Sequence, residues 1–164
     1  MQKNNPSTQP KLFLTVGLPG SGKTTKAKML EEEFNAIRFT PDEWIVNIYG
    51  NELDVDQCAS LRKPVEDALW ILATTALKIG RNVIVDYGLW MIEERKKFRE
   101  IGQNCGAQVY FVYCHEPFDI LWHRISSRPE SLSGTLQLTK ELLQSWYDSF
   151  QHLIEEENQY LYLP

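Results

Sequence analysis

The chain has 164 residues, of which 43% are hydrophobic, 12% aromatic and 24% charged, the make-up of one globular domain that closes a core without cysteine staples or a structural metal. Its 17 basic and 22 acidic residues leave a net charge of −5, which argues against a polybasic coat for duplex nucleic acid or for membrane lipid. Cys58, Cys105 and Cys114 are odd in number and lack zinc-site spacing, so a reducing cytoplasm is the expected setting.

In chain order, residues 1–10 (MQKNNPSTQP) read as a frayed polar start, with no export or anchoring signal. No apolar run approaches the ~18 residues that span a bilayer. Leu12 to Val16 (LFLTV) predicts a strand, Gly17 to Gly22 a loop, and Ala27, Leu30 and Phe34 one face of a helix. Asn35 to Thr40 predicts a second strand. Thr40-Pro41-Asp42-Glu43 then reads as a helix start, with Thr40 as N-cap and Glu43 as its capping-box partner.

Asn47 to Ser60 carries Gly50, Asn51, Asp54 and Asp56 and reads as a loop around the edge of a site or, more simply, as a solvated connection. Val65 to Lys78 repeats apolar residues at helical spacing (Ala68, Leu69, Leu72, Ala73, Ala76) and stops at Gly80. Asn82 to Asp86 (NVIVD) predicts a buried strand, Met91 to Cys105 a helix closed by Gly106, and Gln108 to Cys114 the strongest strand. Phe118 to Ile125 predicts a helix, broken at Pro129 to Gly134. A last long helix is expected through Leu142, Trp146, Phe150, Leu153 and Ile154, with a closing strand in Tyr160 to Leu163. Strands alternating with helices predict one α/β domain over residues 11–164, with a parallel sheet covered on both faces.

Gly17-Leu18-Pro19-Gly20-Ser21-Gly22-Lys23-Thr24 fits the pattern G-x-x-x-x-G-K-[ST] at a strand-to-helix junction. There the glycines let backbone N–H groups converge on phosphate oxygens, and the helix N-terminus adds its positive dipole. Lys23 is expected on the β- and γ-phosphates of a nucleotide and the Thr24 hydroxyl on Mg²⁺, with Thr25 less constrained. Asp86 ends a buried strand, where a carboxylate serves the same Mg²⁺ directly or through water.

Asp42, in a first helical turn on the same sheet edge, is expected to orient an acceptor hydroxyl and take its proton. Arg124 and Arg128 are four apart on a helix leading to the Pro129 break. Both are expected to project toward a short lid and offset charge on the transferring group. Trp44, Tyr49, Tyr87 and Trp90 follow the two carboxylate-bearing strand ends and are candidates for an acceptor site. His115, His123 and His152 are not expected to bind metal.

The segments GLPGSGKTT, RFTPDEW, NVIVD and HRISSRP together resemble the AAA_33, zeta-toxin-like family of small P-loop kinases, over roughly Lys11 to Phe150. They are also similar to the kinase domain of phage-type polynucleotide kinases. The resemblance implies a nucleotide-kinase-type fold with about five mostly parallel strands and an arginine-bearing lid. It also implies ATP and Mg²⁺ as ligands, Asp42 as the acceptor-activating carboxylate, Asp86 in the site, and Arg124 and Arg128 from the lid. Polynucleotide kinases carry an arginine three residues after that aspartate, and Ile45 stands there in this chain. The expected activity is therefore Mg²⁺-dependent transfer of the ATP γ-phosphoryl group to a small-molecule hydroxyl. A polynucleotide 5′-hydroxyl kinase and an ATP-hydrolysing regulatory switch are the alternatives.

Overall fold

The computed structural model describes residues 9–50, 53–127 and 138–163. β1 (Lys11–Val16) feeds the glycine loop and α1 (Lys23–Phe34), and β2 (Ile37–Phe39) leads into α2 (Pro41–Tyr49). α3 (Val55–Lys78), β3 (Val83–Val85) and α4 (Ile92–Asn104) follow, then β4 (Gln108–Tyr113), α5 (Phe118–Ser126) and α6 (Lys140–Ser149). A 3₁₀ helix spans Glu155–Tyr160.

The sheet is parallel throughout, in the order β2-β3-β1-β4. Leu12 pairs with Val83 on one side and Val109 on the other, so β1 is central. Alternation along β1 splits the core in two. Leu12, Leu14 and Val16 face a cluster that includes Leu69 and Ala73 of α3, while Phe13 faces Ala27 and Leu30 of α1. The phosphate loop therefore leaves the C-terminal end of a strand fixed on both edges and both faces, the position where open α/β sheets bind ligands.

The expected fold class holds, with four described strands in place of about five. The closing segment makes a single parallel bridge, Leu161 to Phe111, with Tyr162 N–H donating to the Phe111 carbonyl at 2.9 Å. Asn47 to Ser60 is not the expected connection. α2 runs to Tyr49, and α3 opens at Val55, where Asp54 and Gln57 form a reciprocal capping box (Asp54 N to Gln57 Oε1 2.9 Å; Gln57 N to Asp54 Oδ1 2.8 Å). Pro64 lies inside the same helix, whose buried line runs Val65, Leu69, Ala73, Ala76 and Leu77, leaving Leu72 48% exposed.

Thr40 and Pro41 begin α2 as expected, but the predicted capping box does not form. Arg38 takes both of its members, reaching the Thr40 hydroxyl and, at 3.0–3.1 Å, the Glu43 carboxylate. The last helix also ends early, at Ser149, because tertiary contacts claim the following backbone. Gln151 N donates to Trp90 O at 3.1 Å, and the fully buried Arg95 takes the carbonyls of Gln151 (2.8 Å) and His152 (3.1 Å). His152 is thus outside any helix, its Nδ1 2.7 Å from the Tyr113 hydroxyl and its ring 4.6 Å from that of His115. Among the described residues no group of three or more His, Cys, Asp or Glu is placed to hold a metal ion, and no helix is long and apolar enough to cross a membrane.

Candidate active site

The phosphate loop is shaped by contacts that only glycine permits. Gly17 has φ +148°, and a Cβ there would stand 2.2 Å from the Cys114 carbonyl oxygen at the end of β4. Gly17 is pinned from the other side by the segment after β3. Its N–H reaches Gly88 O at 3.5 Å, and its carbonyl accepts the Trp90 indole N–H at 3.2 Å. α1 then starts at Lys23 with no side chain capping it, so its first N–H groups are left for a ligand.

Lys23 Nζ donates to Leu18 O at 2.8 Å within the loop. Burial lowers its pKa below the usual lysine value, while Asp86, Cys114 and Asp42 pull it back part of the way. A lysine held in a partly desolvated loop gains most from an arriving phosphate. Thr24 and Thr25 are exposed on the first turn and line the adjoining cavity.

Asp86, just past β3, is 5% exposed. Its Oδ1 accepts from Thr15 Oγ1 at 3.0 Å, and Thr15 Oγ1 in turn accepts from Gly88 N at 3.2 Å. Its Oδ2 has no protein partner. Among the described residues three buried side-chain polar atoms are unpartnered, and two of them, Ser21 Oγ and Asp86 Oδ2, belong to the loop and to this carboxylate. Buried polar atoms are normally satisfied, so both are open to a partner that the described residues do not supply. An exposed hydroxyl on Thr24 and an orphaned carboxylate oxygen on Asp86 are hard oxygen donors of the kind Mg²⁺ takes.

A cavity of about 920 Å³ opens from the loop, with Lys23, Thr24, Asp42, Arg62, Asp86 and Trp90 on its wall. Asp42 is brought there by the first turn of α2, as expected. The residue the sequence reading missed is Arg62. Its Nη1 stands 2.6 Å from Asp42 Oδ1, its Nη2 3.1 Å from Tyr87 O and its Nε 2.9 Å from Glu66 Oε1. Burial works against the Arg62 charge, but Asp42 and Glu66 outweigh it and hold its pKa above the usual arginine value. Burial pushes the Glu66 carboxyl up despite that pairing. The only signal for Arg62 was its place seven residues before Leu69 on what proves to be one continuous helix, hidden by Pro64.

Of the aromatic candidates, Tyr87 and Trp90 line the cavity, whereas Trp44 (40% exposed) and Tyr49 (51%) point elsewhere. Arg124 does not project toward the following segment. It turns back, with Nη1 3.1 Å from Gly20 O and Nη2 2.9 Å from Glu116 Oε1, and so braces the loop. Arg128 and the expected lid lie outside the described residues.

A parallel sheet with a glycine loop after its central strand, a helix N-terminus aimed at the cavity and carboxylates just past the ends of β2 and β3 defines a P-loop protein of the nucleotide-kinase type. The chain belongs to the AAA_33 family, described as an AAA domain, whose profile matches residues 12–153. The shikimate kinase of Lactococcus lactis is 28% identical over 114 residues, 70% of this chain and 64% of that protein, so the match spans under two thirds of the relative's length. The fold is similar to that in the Pnkp1/Rnl/Hen1 RNA repair complex, with TM-score 0.62, 23% identity, and 91% of this chain and 46% of that one covered. It is also similar to a gluconokinase from Sinorhizobium meliloti 1021, with TM-score 0.59, 20% identity, and 94% and 82% covered.

Proposed function

We propose that the protein transfers the γ-phosphoryl group of ATP to a hydroxyl of a small molecule. The observation that carries this reading is the position of Asp42. A carboxylate whose Oδ1 is fixed by Arg62 shares one cavity with the Lys23 loop. The loop amides and Lys23 bind the phosphates, the ammonium exchanging Leu18 O for phosphate oxygens. Thr24 and Asp86 would hold Mg²⁺, which would supply charge neutralisation to the transferring phosphoryl group.

Asp42 aligns the acceptor hydroxyl. The bond from acceptor oxygen to γ-phosphorus forms as the bond from that phosphorus to the β,γ-bridging oxygen breaks. The leaving electron pair stays on ADP, and the hydroxyl proton passes to the Asp42 carboxylate and then to solvent. Arg124 acts as a positioning residue by holding Gly20 O, and Arg128 is assigned to the lid on the resemblance alone. Kinase relatives such as the shikimate kinase support this reading, and the gluconokinase likeness agrees with it in fold.

The test is labelled-ATP transfer over sugars, nucleosides, aryl alcohols and 5′-hydroxyl oligonucleotides. Asp42→Asn is expected to keep nucleotide binding and to lower acceptor phosphorylation by about 10²- to 10⁴-fold. Transfer untouched by that substitution overturns the role of Asp42. Hydrolysis independent of any acceptor, with a protein partner bound differently in ATP and ADP, would point to the switch.

A further inference from the structure

Within the acceptor side of the cavity, most of the charged groups are already spoken for, the exception among the described residues being Lys97. Asp42 and Glu66 share Arg62, Lys63 is paired with Asp67 in an i,i+4 contact, and the Glu94 carboxylate accepts from Met91 N at 3.2 Å to cap α4. Much of the rest of the lining is apolar. Met91 and Phe98 line the cavity from α4 and its N-terminus, beside Glu94 and Lys97, and Val46 of α2 and Trp146 of α6 line the same space.

The wall is also rigid. The Trp90 indole is held by Gly17 O, and its carbonyl by Arg95 Nη1 (3.1 Å) and Gln151 N (3.1 Å). Trp146 lies against it at a ring-centroid distance of 5.2 Å, and Tyr87 meets Phe98 at 5.7 Å. A polyol seated against this wall would bury several hydroxyls against indole, thioether and phenyl groups. A flat apolar body loses nothing by the same transfer and gains the aromatic contact.

Resting on the phosphotransferase reading, we propose that the acceptor is an alcohol with an aromatic or other flat apolar body. Its reacting hydroxyl lies at Asp42 and its body against Trp90, Met91 and Trp146.

The experiment is isothermal titration of the full chain, saturated with AMP-PNP and Mg²⁺, with 2-naphthylmethanol and with gluconate, followed by labelled-ATP transfer to each. Naphthylmethanol is expected to bind and to be phosphorylated, and gluconate to do neither. Trp146→Ala is expected to weaken naphthylmethanol by roughly fivefold or more, with Trp146→Phe restoring it to within about twofold of wild type. Absent naphthylmethanol binding, tighter gluconate binding, or a Trp146→Ala effect that falls on AMP-PNP and spares naphthylmethanol overturns the proposal. The last result would assign the wall to the nucleotide base. If AMP-PNP fails to bind, or naphthylmethanol binds and is never phosphorylated, the phosphotransferase reading fails, and the naphthylmethanol titration of the free protein still decides the wall.

Discussion

At the scale of single residues, Lys23 is the group whose charge the site most needs and whose setting most opposes it. Burial lowers its pKa in the free protein, so between that lowered value and the ordinary 10.5 the folded chain binds fewer protons than the unfolded one. Stability therefore rises with pH through that window. Phosphate in the loop favours the ammonium and raises the pKa again, so ATP binding in that window is expected to take up protons. Calorimetry in buffers of different ionisation enthalpy reads the uptake, which should vanish in Lys23→Met; proton release would contradict it. Gly88 is the second sensitive position. With φ +83°, its added Cβ would lie 2.9 Å from Lys23 Cε and 3.0 Å from Gly17 O. Gly88→Ala is expected to cost about 1–3 kcal/mol, read from the urea midpoint at constant m, and to weaken nucleotide binding as well.

At the scale of elements, local chemistry was mostly legible where the residues that decide a structure are neighbours. The phosphate loop, the start of α2 and the core strands follow from glycine placement, Thr40-Pro41 and apolar runs. Three features were not legible, the first because Pro64 masked a local cap and the other two because distant partners decide them. α3 begins ten residues before the predicted helix, since the Asp54 and Gln57 cap and packing outweigh Pro64. Arg62 entered the site only because that extension carries it to Asp42. α6 stops at Ser149 because Arg95 spends its donors on Gln151 O, His152 O and Trp90 O, besides a bidentate pair with Glu157 at 2.7 and 2.8 Å. Removing one member of such a buried pair strands the other. Glu157→Leu or Arg95→Met is expected to destabilise by about 3–5 kcal/mol in chemical denaturation, and the double Arg95→Met, Glu157→Leu variant by less than the sum of the two single changes. An additive double variant would contradict the coupling.

At the scale of the whole molecule, the sheet sets the chemistry by gathering strand ends. β1 delivers the loop, β2 delivers Asp42 through α2, and β3 delivers Asp86, all at one edge. That convergence places a phosphate cradle and a candidate acceptor carboxylate around one cavity in a chain of net charge −5. On the proposed reading, backbone amides and a helix dipole would bind the anion, so few cationic side chains are needed. The most direct test is a crystal structure of the full chain with AMP-PNP and Mg²⁺. The account predicts β- and γ-phosphates among the amides of Gly17 to Thr24, Lys23 Nζ moved from Leu18 O onto phosphate, and the metal between Thr24 and Asp86. Triphosphate bound elsewhere, or a loop whose amides turn away from it, would contradict the account.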